Sequence, residues 1–304
     1  MSRRLPGILP TLSFEEALET TMVYSVAGML GQRALVRERP FRAPHHTVSV
    51  AGLAGGGPMV RPGEISLAHN GVLFLDELLE FSRPVLETLR QPLEERSIAI
   101  VRARRTVSFP ASFQLVAATN PCPCGHLGNS RRTCTCSQLR IDSYRARLSG
   151  PLLDRIDLHV HVPAMAYREL ASGEPGESSA SVRARVEAAR TRQRIRAPRP
   201  NATLPTRALA EVVQLDTEAD RLMERAVDRL ALSARAIDRV RRVARTVADL
   251  EGSPGVGAGH LPEALQYRLL DRPDPTRKRG AGSTWGRWGR LVPRRCPTAT
   301  GVLR

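Results

Sequence analysis

Lysine is almost missing from this 304-residue chain. It occurs once, at Lys278, among 46 basic residues, so nearly every positive charge is arginine. That bias can arise from coding composition, so the arginines by themselves are discounted as evidence of phosphate recognition. The scarcity of lysine still has one firm consequence: a phosphate loop of the form G-x-x-x-x-G-K-[ST] requires a lysine beside its glycines, and the one lysine sits in Arg277-Lys278-Arg279, far from any such pattern. Also lacking is any apolar run of membrane length, and Met1-Ser2-Arg3-Arg4 does not begin a secretory signal. A cytoplasmic protein without a membrane partner is the expectation.

A chain of this length can bury a full core, and it reads as one α/β domain followed by a smaller helical one. The net charge of +16 favours polyanionic partners such as nucleic acid. Part of that charge belongs to residues 271–304, which carry nine basic and two acidic side chains. With Trp285 and Trp288 scattered among Gly, Arg and Pro, residues 272–304 show no periodicity and read as a disordered basic tail.

The organising stretch is Gly71-Val-Leu-Phe-Leu-Asp76-Glu77. Four consecutive apolar residues lack the alternation of a half-wet strand and read as a strand covered on both faces of a parallel sheet. Ligands of such sheets bind beyond the strands' C-terminal ends, where adjacent carboxylates suit a hydrated Mg²⁺ and its phosphates. In that reading Asp76 holds the metal and Glu77 orients an attacking water; in the other, both are solvated acids. Phe113 to Thr119 reads as a second buried strand ending in Asn120, whose amide either bonds a γ-phosphate or water, or simply turns the chain before Pro121.

Around these strands, Ser13 and Glu16 form a capping box for a helix on which Leu18, Met22, Val26 and Met29 recur at helical spacing. Arg39 to Asn70 is too rich in Gly and Pro for long helix, and the adjacent His45 and His46 diverge with no third ligand near, which argues against a metal there. Ser82 is expected to cap a helix bearing Leu86, Leu89 and Leu93. Ile98 to Phe109 reads as a β-hairpin whose tip carries Arg102, Arg104 and Arg105, either solvated or in contact with nucleic acid. Cys122, Cys124, Cys134 and Cys136 share one short loop, which favours a structural Zn²⁺ over disulfides. The C-x-C spacing keeps free thiols open as the alternative, with His126 a candidate substitute ligand. Ile156, Leu158, Val160 and Val162 alternate as a further strand, with Arg155 beside Asp154 at its entrance. A polar connector at 171–180 separates this part, residues 1–170, from a helical domain at 181–271, where Arg235 lies in the first turn of a helix and opposes its dipole.

Together Pro44-His45-His46, the run from Pro62 to Glu77, Ala118-Thr-Asn120-Pro-Cys122-Pro-Cys124-Gly125 and Ser149-Gly-Pro-Leu-Leu-Asp154-Arg155-Ile-Asp-Leu158 resemble the magnesium-chelatase-like AAA+ ATPases of the ComM/YifB group. The resemblance implies an AAA+ P-loop-type parallel sheet flanked by helices, followed by a small all-α lid. It implies Asp76 and Glu77 as Walker B, Asn120 as sensor 1, Arg155 as an arginine finger for a neighbouring subunit, and Arg235 as sensor 2. ATP and Mg²⁺ are its cofactors, a hexameric ring its assembly, and DNA branch migration in recombination and natural transformation its associated activity. Against the family pattern, the P-loop and its strand are expected just before Arg3, so the chain is expected to be the C-terminal part of such a protein and, alone, not to hydrolyse ATP. The magnesium chelatase ATPase subunit and a non-hydrolysing, zinc-containing nucleic-acid-binding module are the competing readings.

Overall fold

The computed structural model describes residues 2–57, 59–102, 105–129, 132–162, 176–230 and 232–268. They fall in two compact units, one made of the described residues up to 156 and the other of those from 157 onward. None of the helices in the described residues is long and apolar enough to cross a membrane. The expected connector at 171–180 is described only from residue 176 onward, and the tail 272–304 lies outside the described residues.

In the first unit, α1 (Phe14–Val26) opens with the expected capping box: Ser13 Oγ accepts from the Glu16 N–H at 3.2 Å while Glu16 Oε2 accepts from the Ser13 N–H at 3.0 Å. Its inner face is not the apolar stripe that announces the helix. Ala17, Thr20, Thr21, Val23 and Tyr24 are buried, whereas Phe14, Leu18, Met22 and Val26 are exposed. The hydroxyls make that inner face workable, because Thr21 Oγ1 donates to Ala17 O at 2.7 Å and accepts the Val36 N–H at 2.9 Å.

There follow β1 (Phe41–Arg42), α2 (Val50–Ala54), a two-residue ribbon of β2 (Gly55–Gly56) and β3 (Arg61–Pro62), α3 (Glu64–Leu67) and β4 (Val72–Leu75). Next come α4 (Arg83–Glu87), α5 (Arg90–Glu95), the hairpin of β5 (Ser97–Arg102) and β6 (Arg105–Pro110), β7 (Gln114–Ala117), α6 (Gln138–Arg145) and α7 (Gly150–Leu153). Ser82 occupies the cap position of α4, but its side chain makes no cap bond. The hairpin pairs Ile98 with Phe109 and Ile100 with Val107, as the alternation predicts.

Among the described residues β1, β4 and β7 form a parallel sheet in the order β1-β4-β7. Central β4 is the buried strand the sequence announces, with Val72, Leu73 and Leu75 at 0% exposure. Its entry permits only glycine: a Cβ on Gly71 would lie 2.1 Å from Pro40 O, the carbonyl that accepts the Val72 N–H at 2.8 Å. Arg39 braces the same junction, donating to Asn70 O at 2.7 Å, to Pro10 O at 2.6 Å and to Glu16 Oε2 at 2.8 Å. Leu73 and Leu75 pack with Leu53, Ile65, Leu86 and Leu152 in one core.

Two strand expectations need correction. β7 is only half-buried, with Gln114 and Ala117 exposed, because no described strand pairs with its second edge. Residues 156–162 form no strand; Leu158, Val160 and Val162 are exposed, and the His159 N–H donates to Tyr267 O at 2.6 Å instead. Alternation states a preference, but extended chain becomes a strand only beside a partner.

In the second unit the described residues hold α8 (Ser179–Arg196), α9 (Thr206–Val212), α10 (Thr217–Leu230), α11 (Ala234–Glu251) and α12 (His260–Gln266) around Leu209, Val240, Ala244, Ala248 and Leu261. Asp249 lies fully buried among these helices. Arg245 and Arg196 reach its carboxylate at 2.8 and 2.7 Å, and Asn201 Nδ2 at 2.8 Å. Burial pushes this carboxyl up, but the bonds from Arg196, Asn201 and Arg245 prevail and hold it below its ordinary value. A lowered folded value means stability that is present above the ordinary carboxylate range and lost as pH falls through the lowered one. Asp249→Ala should therefore cost about 3–5 kcal/mol, since it strands the Arg245 guanidinium in the core. Chemical denaturation at neutral pH tests this; a loss under about 1 kcal/mol would mean that the guanidinium finds water.

Candidate functional site

Asp76 and Glu77 stand, both exposed, immediately beyond β4, as the buried strand demands. The Glu77 N–H donates to Asp76 Oδ1 at 3.0 Å, and the Leu78 N–H donates to Ala118 O at 2.8 Å, so the turn after β4 is tied to the end of β7. Since Leu75 is in register with Ala117, Asn120, three residues further on, belongs to the same edge. Glu77 is left-handed at φ 51, ψ 48, a conformation uncommon outside Gly and Asn and one worth a functional question. His46, set aside as a metal ligand from sequence, places Nδ1 3.4 Å from Glu77 Oε2. Two exposed carboxylates presenting hard oxygens at a strand end fit Mg²⁺, which keeps most of its water and takes one or two protein carboxylates.

Next to Asn120 the four loop cysteines converge. Cys122 Sγ lies 3.4 Å from Cys124 Sγ and 3.6 Å from Cys134 Sγ, and all four sulfurs lie within 4.8 Å of one another. A tetrahedral zinc with bonds of about 2.3 Å requires sulfur separations of about 3.8 Å, so the set fits the ion without His126. Backbone N–H groups of His126 and Thr135 pull the Cys124 thiol down to about 5. Against the pull of the Cys136 N–H, burial and the adjoining thiols push Cys134 up to about 12. Without a cation the cluster thus resists a second thiolate; a divalent ion removes that conflict. The loop returns over Asn120, with a Cβ on Gly125 falling 3.9 Å from Asn120 Oδ1, and it ends at Ser137, which caps α6. From α6 Arg147, just past its end, donates to Leu79 O at 2.8 Å and Glu80 Oε2 at 3.3 Å, gripping the turn behind Glu77.

Arg155 is neither free nor paired with Asp154. Its guanidinium bonds Glu94 and donates to Pro151 O at 2.7 Å, with the side chain 11% exposed. Nothing local could announce a partner 61 residues earlier. Arg235 is exposed in the first turn of α11, in the second unit. Arg102 and Arg105 are the last pair of the hairpin ladder, but the side chains of Arg102, Arg104 and Arg105 lie outside the described residues.

With this geometry in view, the likeness to known proteins is direct. Residues 1–170 match the model of magnesium chelatase, subunit ChlI, and residues 176–268 match that of its C-terminal region. The chain belongs to the magnesium chelatase ChlI family. Within that family it is 46% identical over 274 residues to YifB of Escherichia coli (strain K12), covering 90% of this chain and 54% of that one. It is equally 46% identical to the competence protein ComM of Haemophilus influenzae, covering 90% and 53%, and 43% identical to an uncharacterised Mycobacterium bovis protein. The chain spans about half the length of these ChlI-family relatives.

For the four-cysteine cluster of this chain the expected outcome is one equivalent of zinc in the reduced, purified protein. Cys134→Ser should release it and raise amide exchange through 122–129 and into α6. Protein free of metal under reducing conditions would contradict the assignment.

Proposed function

We propose that this chain supplies the magnesium and water-handling part of an AAA+ ATPase subunit acting on DNA. The supporting observation is the edge where Asp76 and Glu77 follow central β4 and Asn120 follows its parallel neighbour β7. Bound Mg²⁺ would neutralise the charge that develops on the transferred phosphoryl group. Asp76 holds that ion, Glu77 orients the attacking water and takes its proton, and Asn120 fixes the water or a γ-phosphate oxygen through its amide. Arg155 serves a neighbouring subunit's nucleotide in a ring, exchanging Glu94 for a phosphate of higher charge, and Arg235 acts as sensor 2 from the helical lid. The phosphates are cradled by residues outside these 304, since the single lysine rules out a G-x-x-x-x-G-K-[ST] loop among them.

DNA as the partner rests on the net charge of +16 and on the competence protein ComM among the relatives, with the hairpin arginines Arg102, Arg104 and Arg105 as phosphate contacts. One observation favours a second reading: the four-cysteine cluster suits a zinc-containing nucleic-acid-binding module without hydrolysis. That module would bind DNA with steep salt dependence and no response to nucleotide.

Alone, the 304-residue chain should not turn over ATP. Mixed with P-loop-bearing subunits of the family it should raise their ATPase rate, and Arg155→Ala should abolish the gain, because an arginine finger is worth about 10³–10⁵ in rate. An Arg155→Ala chain that stimulates as well as the wild type would remove the finger. Turnover by the chain alone would contradict an external phosphate cradle.

A further inference from the structure

Helix α6 carries a second polar constellation that the phosphate chemistry of the acidic edge does not use. Leu139, Ser143 and Arg147 recur at i, i+4 spacing, and Arg140 and Tyr144 form the adjoining row, so they share one side of the helix and of the turn after it. With Pro123 of the cysteine loop and Glu80 of the turn behind Glu77, they line an open cleft of about 470 Å³. Its parts differ in kind. Pro123 and Leu139, the latter 80% exposed, offer apolar walls. Arg147 is fixed: it donates to Leu79 O and to Glu80, and its guanidinium carbon lies 5.7 Å from the centre of the Tyr144 ring. The buried Tyr144 turns its hydroxyl toward Thr119 and Glu80. Among the described residues the Arg140 guanidinium has no partner, and Ser143 stands exposed beside it.

We propose that this cleft takes one unpaired nucleotide of single-stranded DNA, its base between Pro123 and Leu139 with an amino edge on Glu80, and its phosphate on Arg140 and Ser143. The proposal rests on the DNA reading above for its partner and adds a base contact to the phosphate contacts named there. The mixture of groups decides the ligand. An acidic peptide would meet Arg140 but be repelled by Glu80, and a basic peptide would meet the reverse. A nucleotide brings an apolar face, N–H donors on its base edge and a phosphate in one small body. The volume agrees, since clefts that hold small organic groups run to about 300–1,000 Å³. Because the Glu80 carboxylate can only accept, it favours cytosine, which offers an amino group, over thymine, which offers a carbonyl there.

The test is fluorescence anisotropy of the full chain, purified under reducing conditions, with short dye-labelled oligo(dC) and oligo(dT) at low salt. Oligo(dC) should bind more tightly, and Glu80→Gln, whose amide can serve either base, should erase the preference. Leu139→Ser should weaken oligo(dC) about fivefold. Arg140→Ala should lower the slope of affinity against salt by about one. Both side chains are exposed, so neither change reaches the core. Photocross-linking of an iodocytosine-bearing oligo(dC) should mark residues 139–144 or Pro123. Unchanged binding in Leu139→Ser and Arg140→Ala, with cross-links confined to the hairpin at 97–110, would overturn the cleft and leave DNA as the partner. No oligonucleotide binding at low salt would overturn the DNA reading and the cleft together. Polyglutamate binding that Arg140→Ala weakens while oligo(dC) binding stays the same would give the cleft to an acidic peptide and also overturn the proposal.

Discussion

The pairing of β4 with a parallel neighbour on each side is the constraint from which the acidic edge follows. β1 pairs with Val72 and Leu73 and β7 with all four strand residues, and Val72, Leu73 and Leu75 are fully buried. Full burial of such side chains contributes about 1.5–3 kcal/mol each, which leaves little freedom for the strand to slip. With β4 fixed, Asp76 and Glu77 have no other place than the strand's C-terminal exit. The Pro40 carbonyl packed on Gly71 at the entrance and the Leu78–Ala118 bond at the exit fix the two ends of the same segment.

From that edge, two supports extend outward. On one side β1 runs on to His46 and so reaches Glu77. On the other, β7 runs on to Asn120 and directly into the cysteine loop, which caps α6, whose following Arg147 holds the Leu79 carbonyl behind Glu77. A metal-closed loop here would stiffen a circuit that begins and ends at the acidic pair. Such a clasp suits a site whose ligands sit on turns rather than inside regular elements, because turns by themselves hold geometry poorly.

What the sequence announced was whatever depends on neighbours in the chain. The apolar run Val72–Leu75, the Ser13–Glu16 box and the Ile98–Phe109 ladder need only local spacing, and all three are present. Features that depend on distant partners were hidden. Leu18, Met22 and Val26 marked a helix correctly but not which of its faces packs. Residues 156–162 had the alternation of a strand and, among the described residues, no strand to join. The pairing of Arg155 with Glu94 and of His46 with Glu77 spans 61 and 31 residues, beyond any local pattern. The His46 contact left no local trace beyond two adjacent histidines in the Gly- and Pro-rich stretch ahead of the acidic strand.

Asp76 is proposed to organise a hard-cation site at the end of β4, with Asn120 at its side. Manganese, a paramagnetic ion that favours the same carboxylate and water ligands as magnesium, reports on it directly. Titrated into zinc-loaded, ¹⁵N-labelled chain, it should broaden the amides of Asp76, Glu77, Leu78 and Asn120 before any others, and Asp76→Asn should abolish that order. Broadening that begins elsewhere, or that survives Asp76→Asn unchanged, would contradict a cation site at Asp76.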